Sequence, residues 1–287
     1  MRMTLGSLKS TLAGVRSAML NGGYGALGKI TGNIAVQRPV FVVGTGRCGS
    51  TLVAKMLRAH REMAGFPNEA NELWHPRSYP HYRASIDTPP ILIDPRRFTE
   101  LSIRHWPAAH EDTIRRTFAA FLLTKGARKT FFLKSAMISF MVPKLLEMFP
   151  DARIVHIYRN GPAVVRSLLE KEWDKHIGYV ESEEDFRRCC ARYWNDCIME
   201  LEQRKADITR RGQGTYYEFS YESLCESPRE VMGGLAAYLG VDLDGFDLRM
   251  VEIKSRNYKV DGYRNDPQWR ELLETMAPAM RLKGYVF

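Results

Sequence analysis

The chain has 287 residues, 45% of them hydrophobic and 26% charged. That is an ordinary globular composition, long enough for a sizeable core in one or two domains. No apolar run is long enough to span a bilayer, and no zinc-ligand spacing or RNA-binding signature points to nucleic acid.

The net charge of +9 is unevenly placed. Arg2, Lys9, Arg16, Lys29, Arg38, Arg47, Lys55, Arg58 and Arg61 all precede the first acid, Glu62, and the remainder is balanced. Most of these read as a solvated basic surface, while Arg47 reads as part of a field that attracts an anionic ligand. The five cysteines, Cys48, Cys189, Cys190, Cys197 and Cys225, show no CxxC spacing. An odd, unpatterned set argues against a disulfide framework and suits a reducing compartment. The first residues carry no secretory leader pattern, so the expectation is a cytoplasmic protein.

Residues 3–20 have apolar positions every seven residues (Leu5, Leu12, Met19; Leu8, Val15) beside a basic stripe, Arg2, Lys9 and Arg16. The pattern predicts an amphipathic helix. It would dock on its own domain, on a second copy or on a membrane surface; a transit peptide has the same composition. Residues 1–38 are read as this helix and its linker, and 39–287 as one α/β domain.

From Pro39 strands and helices alternate. The predicted order is strand Val40–Val43, helix Thr51–Ala59, an irregular stretch over 64–109 rich in Pro, His, Trp and Tyr, and a helix around 111–125. Then come strand Thr130–Lys134, helix Pro143–Met148, strand Ala152–Tyr158, helix Pro162–Lys171, a long helix near 183–206, strand Thr215–Phe219 and helix Pro228–Leu239. The tail from Arg249 reads as loop with a short helix near 267–276. Alternation of this kind predicts a parallel sheet covered by helices on both faces. Residues 73–109 read as an insertion of the kind that shapes a binding site, and 249–287 as a basic tail.

The run VFVVGTGRCGST, residues 40–51, is a strand, a glycine-rich loop and a helix start. It fits GxxxxGx[ST], a phosphate-cradling loop, but Ser50 stands where an ATP-hydrolysing loop has lysine. The basic residue is inside the loop, as Arg47. A second apolar strand, RIVHIY, ends in Arg159-Asn160-Gly161-Pro162, with Ser167 on the next helix. Parallel sheets bind ligands at the C-terminal ends of their strands. A P-loop ATPase wants an acid there for magnesium; this strand offers arginine. Two anion-binding groups at two strand ends point to a doubly phosphorylated nucleotide held without a catalytic metal.

These residues resemble the PAPS-dependent sulfotransferases, most closely their bacterial and tyrosylprotein-like branch. GTGRCGST is similar to the family's 5′-phosphosulfate loop. RNGPAVVRS is similar to its 3′-phosphate motif, although Asn160-Gly161-Pro162 stands where many members have Asp-Pro. The likeness covers about residues 39–240. It implies a P-loop-type sheet in a single sulfotransferase-like domain, and PAPS (3′-phosphoadenosine 5′-phosphosulfate) as donor, with adenosine 3′,5′-bisphosphate as product and no metal.

The resemblance also implies roles. Backbone N–H groups of Gly46, Arg47, Cys48, Gly49, Ser50 and Thr51, with side chains of Arg47, Ser50 and Thr51, would hold the 5′-phosphosulfate. Arg159 and Ser167 would hold the 3′-phosphate. Lys134 would neutralise the bridging oxygen as the sulfuryl group leaves. A glutamate beyond the first helix would be the general base, with Glu69 the first candidate and Glu72 the second; His60 and His75 rank below them. Ser255, Arg256 and Tyr258 would belong to a late loop closing over the nucleotide. Trp173 and Trp194 read as core. The acceptor is open: a small molecule, glycan, lipid or peptide hydroxyl, less readily an amine. Two other classes compete with this one: a small-molecule kinase using ATP and magnesium, and a non-catalytic basic membrane- or partner-binding protein on a nucleotide-binding scaffold.

Overall fold

A computed structural model describes residues 35–75, 88–254 and 269–286, together with Gly23 and Tyr263. The expected helix at 3–20 and the positions Ser255, Arg256 and Tyr258 lie outside the described residues.

Five parallel strands form one sheet in the order β2-β3-β1-β4-β5: β1 is Val40–Val43, β2 Met63–Gly65, β3 Thr130–Lys134, β4 Arg153–Tyr158 and β5 Thr215–Ser220. β1, at the centre, is apolar at every position because both of its faces are covered. Alternation along the strands divides the core in two. Phe41, Val43, Phe131, Leu133 and Ile154 face one cluster, while Val40, Val42, Phe132, Val155 and Ile157 face the other. The result is the expected helix–sheet–helix sandwich.

The helices are α1 (Ser50–Ala59), α2 (Asn71–Trp74), α3 (Pro95–Arg104), α4 (His110–Lys125), α5 (Val142–Met148), α6 (Gly161–His176), α7 (Glu183–Arg211), α8 (Tyr221–Glu226), α9 (Pro228–Leu239), α10 (Arg249–Lys254) and α11 (Arg270–Leu282). Local chemistry explains several starts. Asp94 accepts from the Arg97 N–H with Pro95 in the first turn of α3. Asn160 accepts from Ala163 N–H ahead of α6, with Pro162 in its first turn, and Ser182 accepts from Asp185 N–H ahead of α7.

Two expectations need correction. The stretch 64–109 is not irregular throughout: β2 opens it, and α2 and α3 lie within it. A three-residue strand is too short to show a period, and the Asp94-Pro95 cap outweighs the weak apolar pattern of α3. The tail after Arg249 is largely helical where described. α11 packs its buried Leu272, Met276, Ala279 and Met280 into the core beside Trp194 and Cys197 of α7. Among the described residues no helix is long and apolar enough to cross a membrane.

Candidate active site

The C-terminal ends of β1, β3 and β4 lie side by side. Val42 is in register with Lys134 and Val43 with His156. The loop leaving β1 turns sharply, with Gly44, Arg47 and Gly49 at φ 139, 68 and 100°. The two glycines are sterically required. A Cβ on Gly44 would stand 2.2 Å from the Ile157 carbonyl oxygen, and one on Gly49 would stand 2.3 Å from Tyr221 Cδ2. Arg47 holds a left-handed conformation that costs a non-glycine residue free energy.

Buried side chains brace this loop from below. Ser139 Oγ accepts from the Gly44 N–H at 2.9 Å and donates to the Gly44 carbonyl at 3.0 Å. Tyr193 Oη, on α7, accepts from the Gly46 N–H at 3.1 Å. The Gly46 N–H, expected to face an anion, is thus engaged by the protein. Cys48 is fully buried, and burial pushes its thiol up, so its side chain is a small core filler rather than a reactive group. Beyond it α1 begins at Ser50 with no side-chain cap and no acid in its first turn. Such a terminus presents free N–H groups and a positive dipole end to an anion. Thr51 is exposed there and Ser50 is buried.

The second motif meets the first. Arg47 Nε donates to Ser167 Oγ at 3.0 Å, and Arg159 Nη1 lies 3.4 Å from the Arg47 carbonyl oxygen. The Arg159 guanidinium lies 4.9 Å from the ring centroid of Tyr221, and burial pushes the Tyr221 hydroxyl up to about 12. Arg159 Nε is buried and finds no hydrogen-bond acceptor among the described residues. Its carbonyl accepts from Trp194 Nε1 at 3.0 Å. Asn160 N–H donates to Glu222 Oε1 at 3.0 Å, and its amide lies 3.4 Å from Tyr263 Oη.

The third component is an ion pair between Lys134, at the end of β3, and Glu69. Lys134 is 9% exposed. Glu69 sits in a turn where Asn68 Oδ1 accepts from the Ala70 N–H at 2.7 Å, and Ala70 adopts φ 50°. Glu72 is half-buried on α2. His60 is buried and bonds the Asp242 carbonyl at 2.8 Å, a structural role. His75 packs edge-on against Phe98.

The structure therefore gathers Arg47, Arg159 and Ser167 at one point and pairs Lys134 with Glu69. Trp194 is core, as expected, and Trp173 packs against Phe186 at its edge. Sequence patterns alone did not reveal Ser139, Tyr193 and Tyr221. Tyr221 comes directly after the fifth strand, so the strand-end rule that found Arg159 was able to find it. Ser139 and Tyr193 carry no such signal. Among the described residues no cluster of three or more His, Cys, Asp or Glu side chains is placed to hold a metal ion.

The model of the sulfotransferase family matches residues 39–245. Among solved structures, a sulfotransferase from Mycobacterium tuberculosis is similar at 17% identity and TM-score 0.57, covering 96% of this chain and 87% of that one. One from Mycobacterium avium is 14% identical at TM-score 0.57, covering 88% and 79%. A mouse sulfotransferase complexed with PAP is 16% identical at TM-score 0.51, covering 92% and 93%. No curated protein sequence matches the chain. These structures share the fold of the five-stranded sheet described above, and the family model spans the loop after β1, the Arg159–Ser167 segment and the strands that precede them: the chain belongs to the sulfotransferase family.

Proposed function

We propose that this sulfotransferase uses PAPS as donor and delivers its sulfuryl group to a hydroxyl acceptor by in-line displacement, without a metal. The observation that carries the reading is the meeting of Arg47, Ser167 and Arg159 beside an uncapped helix N-terminus. That arrangement suits a ligand with two separate phosphates better than a linear triphosphate. The fit is supported by Arg159, whose buried Nε has a donor to spare, and by the mouse relative, solved with PAP.

The loop and the α1 N-terminus would hold the 5′-phosphosulfate, and Arg159 with Ser167 the 3′-phosphate. Sulfuryl transfer, like phosphoryl transfer, depends on alignment and charge stabilisation. The acceptor oxygen bonds to sulfur as the bond from sulfur to the bridging oxygen breaks, and the electron pair stays on that oxygen. Lys134 meets the charge developing there. Glu69 takes the acceptor's proton. The ion pair between them makes these two tasks interdependent: when Lys134 turns to the departing oxygen, Glu69 loses its partner and is left to act as base. Glu72 is the second candidate for that role. Ser255, Arg256 and Tyr258 are further candidates for nucleotide contact, on the family resemblance alone. The acceptor is proposed to enter beside Glu69.

Calorimetry tests the reading. The expected result is tight binding of adenosine 3′,5′-bisphosphate in EDTA and little affinity for ATP–magnesium. The reverse preference would replace it with a kinase.

A further inference from the structure

Tyr193 and Trp194 are consecutive on α7, and each holds the backbone of a different anion motif. Tyr193 Oη accepts from the Gly46 N–H at 3.1 Å; Trp194 Nε1 donates to the Arg159 carbonyl at 3.0 Å. Successive side chains on a helix diverge by roughly 100°, so one turn of α7 reaches the loop after β1 and the end of β4 at once. Both residues are buried, at 2% and 0% exposure. Burial pushes the Tyr193 hydroxyl well up, so it stays protonated.

The support beneath them is continuous. α7 runs for 29 residues from its Ser182 cap, and Asn195, the next residue, accepts from the Ala279 N–H of α11 at 3.3 Å. Gly161 lies directly against the indole, since a Cβ there would stand 3.1 Å from Trp194 Cδ2. The two motifs follow neighbouring strands, β1 and β4, and touch each other through Arg47, Ser167 and Arg159. α7 gives them a common side-chain reference.

We propose that Tyr193 and Trp194 are positioning residues that set the separation of the 5′- and 3′-anion sites, each fixing one motif by its main chain. The inference rests on the two-phosphate reading above. It concerns the residues that aim the contacts rather than those that make them. Loss of the Tyr193 hydroxyl leaves the Gly46 N–H without its acceptor and frees the phosphosulfate loop. Loss of the Trp194 N–H frees the Arg159 carbonyl and with it the arginine's direction.

The test uses two shape-conserving variants: Tyr193→Phe, and Trp194 replaced by β-(3-benzothienyl)alanine, which puts sulfur in place of the ring N–H. Each is titrated calorimetrically with adenosine 5′-phosphate, adenosine 3′-phosphate and the 3′,5′-bisphosphate. One hydrogen bond corresponds to roughly a five- to tenfold change. Tyr193→Phe is expected to lose that factor on the 5′-phosphate and under about twofold on the 3′-phosphate; the Trp194 variant is expected to show the reverse. Both should weaken the bisphosphate. Equal losses on the two monophosphates, or none, would overturn the proposal, because general loosening of the core has no reason to discriminate by phosphate position. Either variant decides alone if the other does not fold. Failure of the two-phosphate reading shows separately: the wild-type protein would then not prefer the bisphosphate over either monophosphate, and the positioning proposal would fall with it.

Discussion

Arg47 Nε and Ser167 Oγ are bonded at 3.0 Å across 120 residues of sequence. One belongs to the loop after β1 and the other to the helix after β4, so the bond closes the gap between two neighbouring strands. Two motifs that look independent in the sequence therefore touch in the fold. Arg159, whose guanidinium lies over Tyr221 and whose Nη1 faces the Arg47 carbonyl, stands beside both.

Arg159→Ala should weaken adenosine 3′,5′-bisphosphate at least tenfold while changing the affinity for adenosine 5′-phosphate by under about threefold. Arg159→Lys should restore only part of the loss, because an ammonium cannot fork onto a phosphate. Equal losses on both ligands in calorimetry would contradict the assignment of Arg159 to the 3′-phosphate.

Glu69→Gln should leave bisphosphate affinity within about threefold and lower turnover by roughly 10²-fold or more, the range expected for a lost general base. The readout is PAPS consumption with a panel of phenol, sugar and peptide acceptors. Turnover that survives in Glu69→Gln and collapses in Glu72→Gln would move the base to α2.

Gly44→Ala should destabilise the protein by about 3 kcal/mol or more. Its φ of 139° is unfavourable for alanine, and the new methyl would meet the Ile157 carbonyl. Gly240→Ala shares the positive φ, but a Cβ there meets nothing within 4 Å. It should cost less, about 1 kcal/mol. Thermal melting of the two variants separates the backbone term from the collision.

Stability should decline as pH falls below about 6.5. His156 is fully buried on β4, bonded to Tyr216 Oη at 2.8 Å, and burial holds its protonation below the ordinary value of 6.5. The unfolded chain then binds the proton more readily than the folded one. The contribution of His156 is complete above its ordinary value and is lost as pH drops toward the folded one. Burial opposes ionisation of Glu218, but its contacts with His156, Lys205 and Lys283 outweigh that and hold it down, which adds a further loss below its ordinary 4.5. Melting temperature measured from pH 7.5 to 5 should fall in the wild type and flatten in His156→Gln; an unchanged slope in the variant would assign the effect elsewhere.

Much of the site was legible in the sequence because strand ends announce themselves. VFVV and RIVHIY are apolar on both faces, and the residues just past each must lie at the ligand edge of a parallel sheet. Arg47, Arg159 and Lys134 were found on that basis, with the family resemblance giving them roles. The pairing of Lys134 with Glu69 was not legible, because an ion pair between a strand end and a distant turn leaves no periodic trace. Tyr193 was invisible for a different reason. A buried tyrosine in an apolar helix stripe reads as core, and only coordinates reveal where its hydroxyl goes. β2 was missed because three residues cannot display alternation.

The docking of α11 on α7 has a consequence for how the protein is made. Asn195 and Ala279, which bond across that interface, are 84 residues apart, and Lys283 reaches back to Glu202 and Glu218. A nascent chain emerging from the ribosome carries both loop motifs and the five described strands well before α11 exists to cover the α7 face. Until then Trp194 and Cys197 lack part of their cover, and the helix that aims both motifs is unsupported on that side. Completion of the catalytic apparatus is therefore a late event in synthesis, and a chain stalled after Gly245 would carry its chemistry on an exposed apolar surface, a substrate for chaperones rather than a working enzyme.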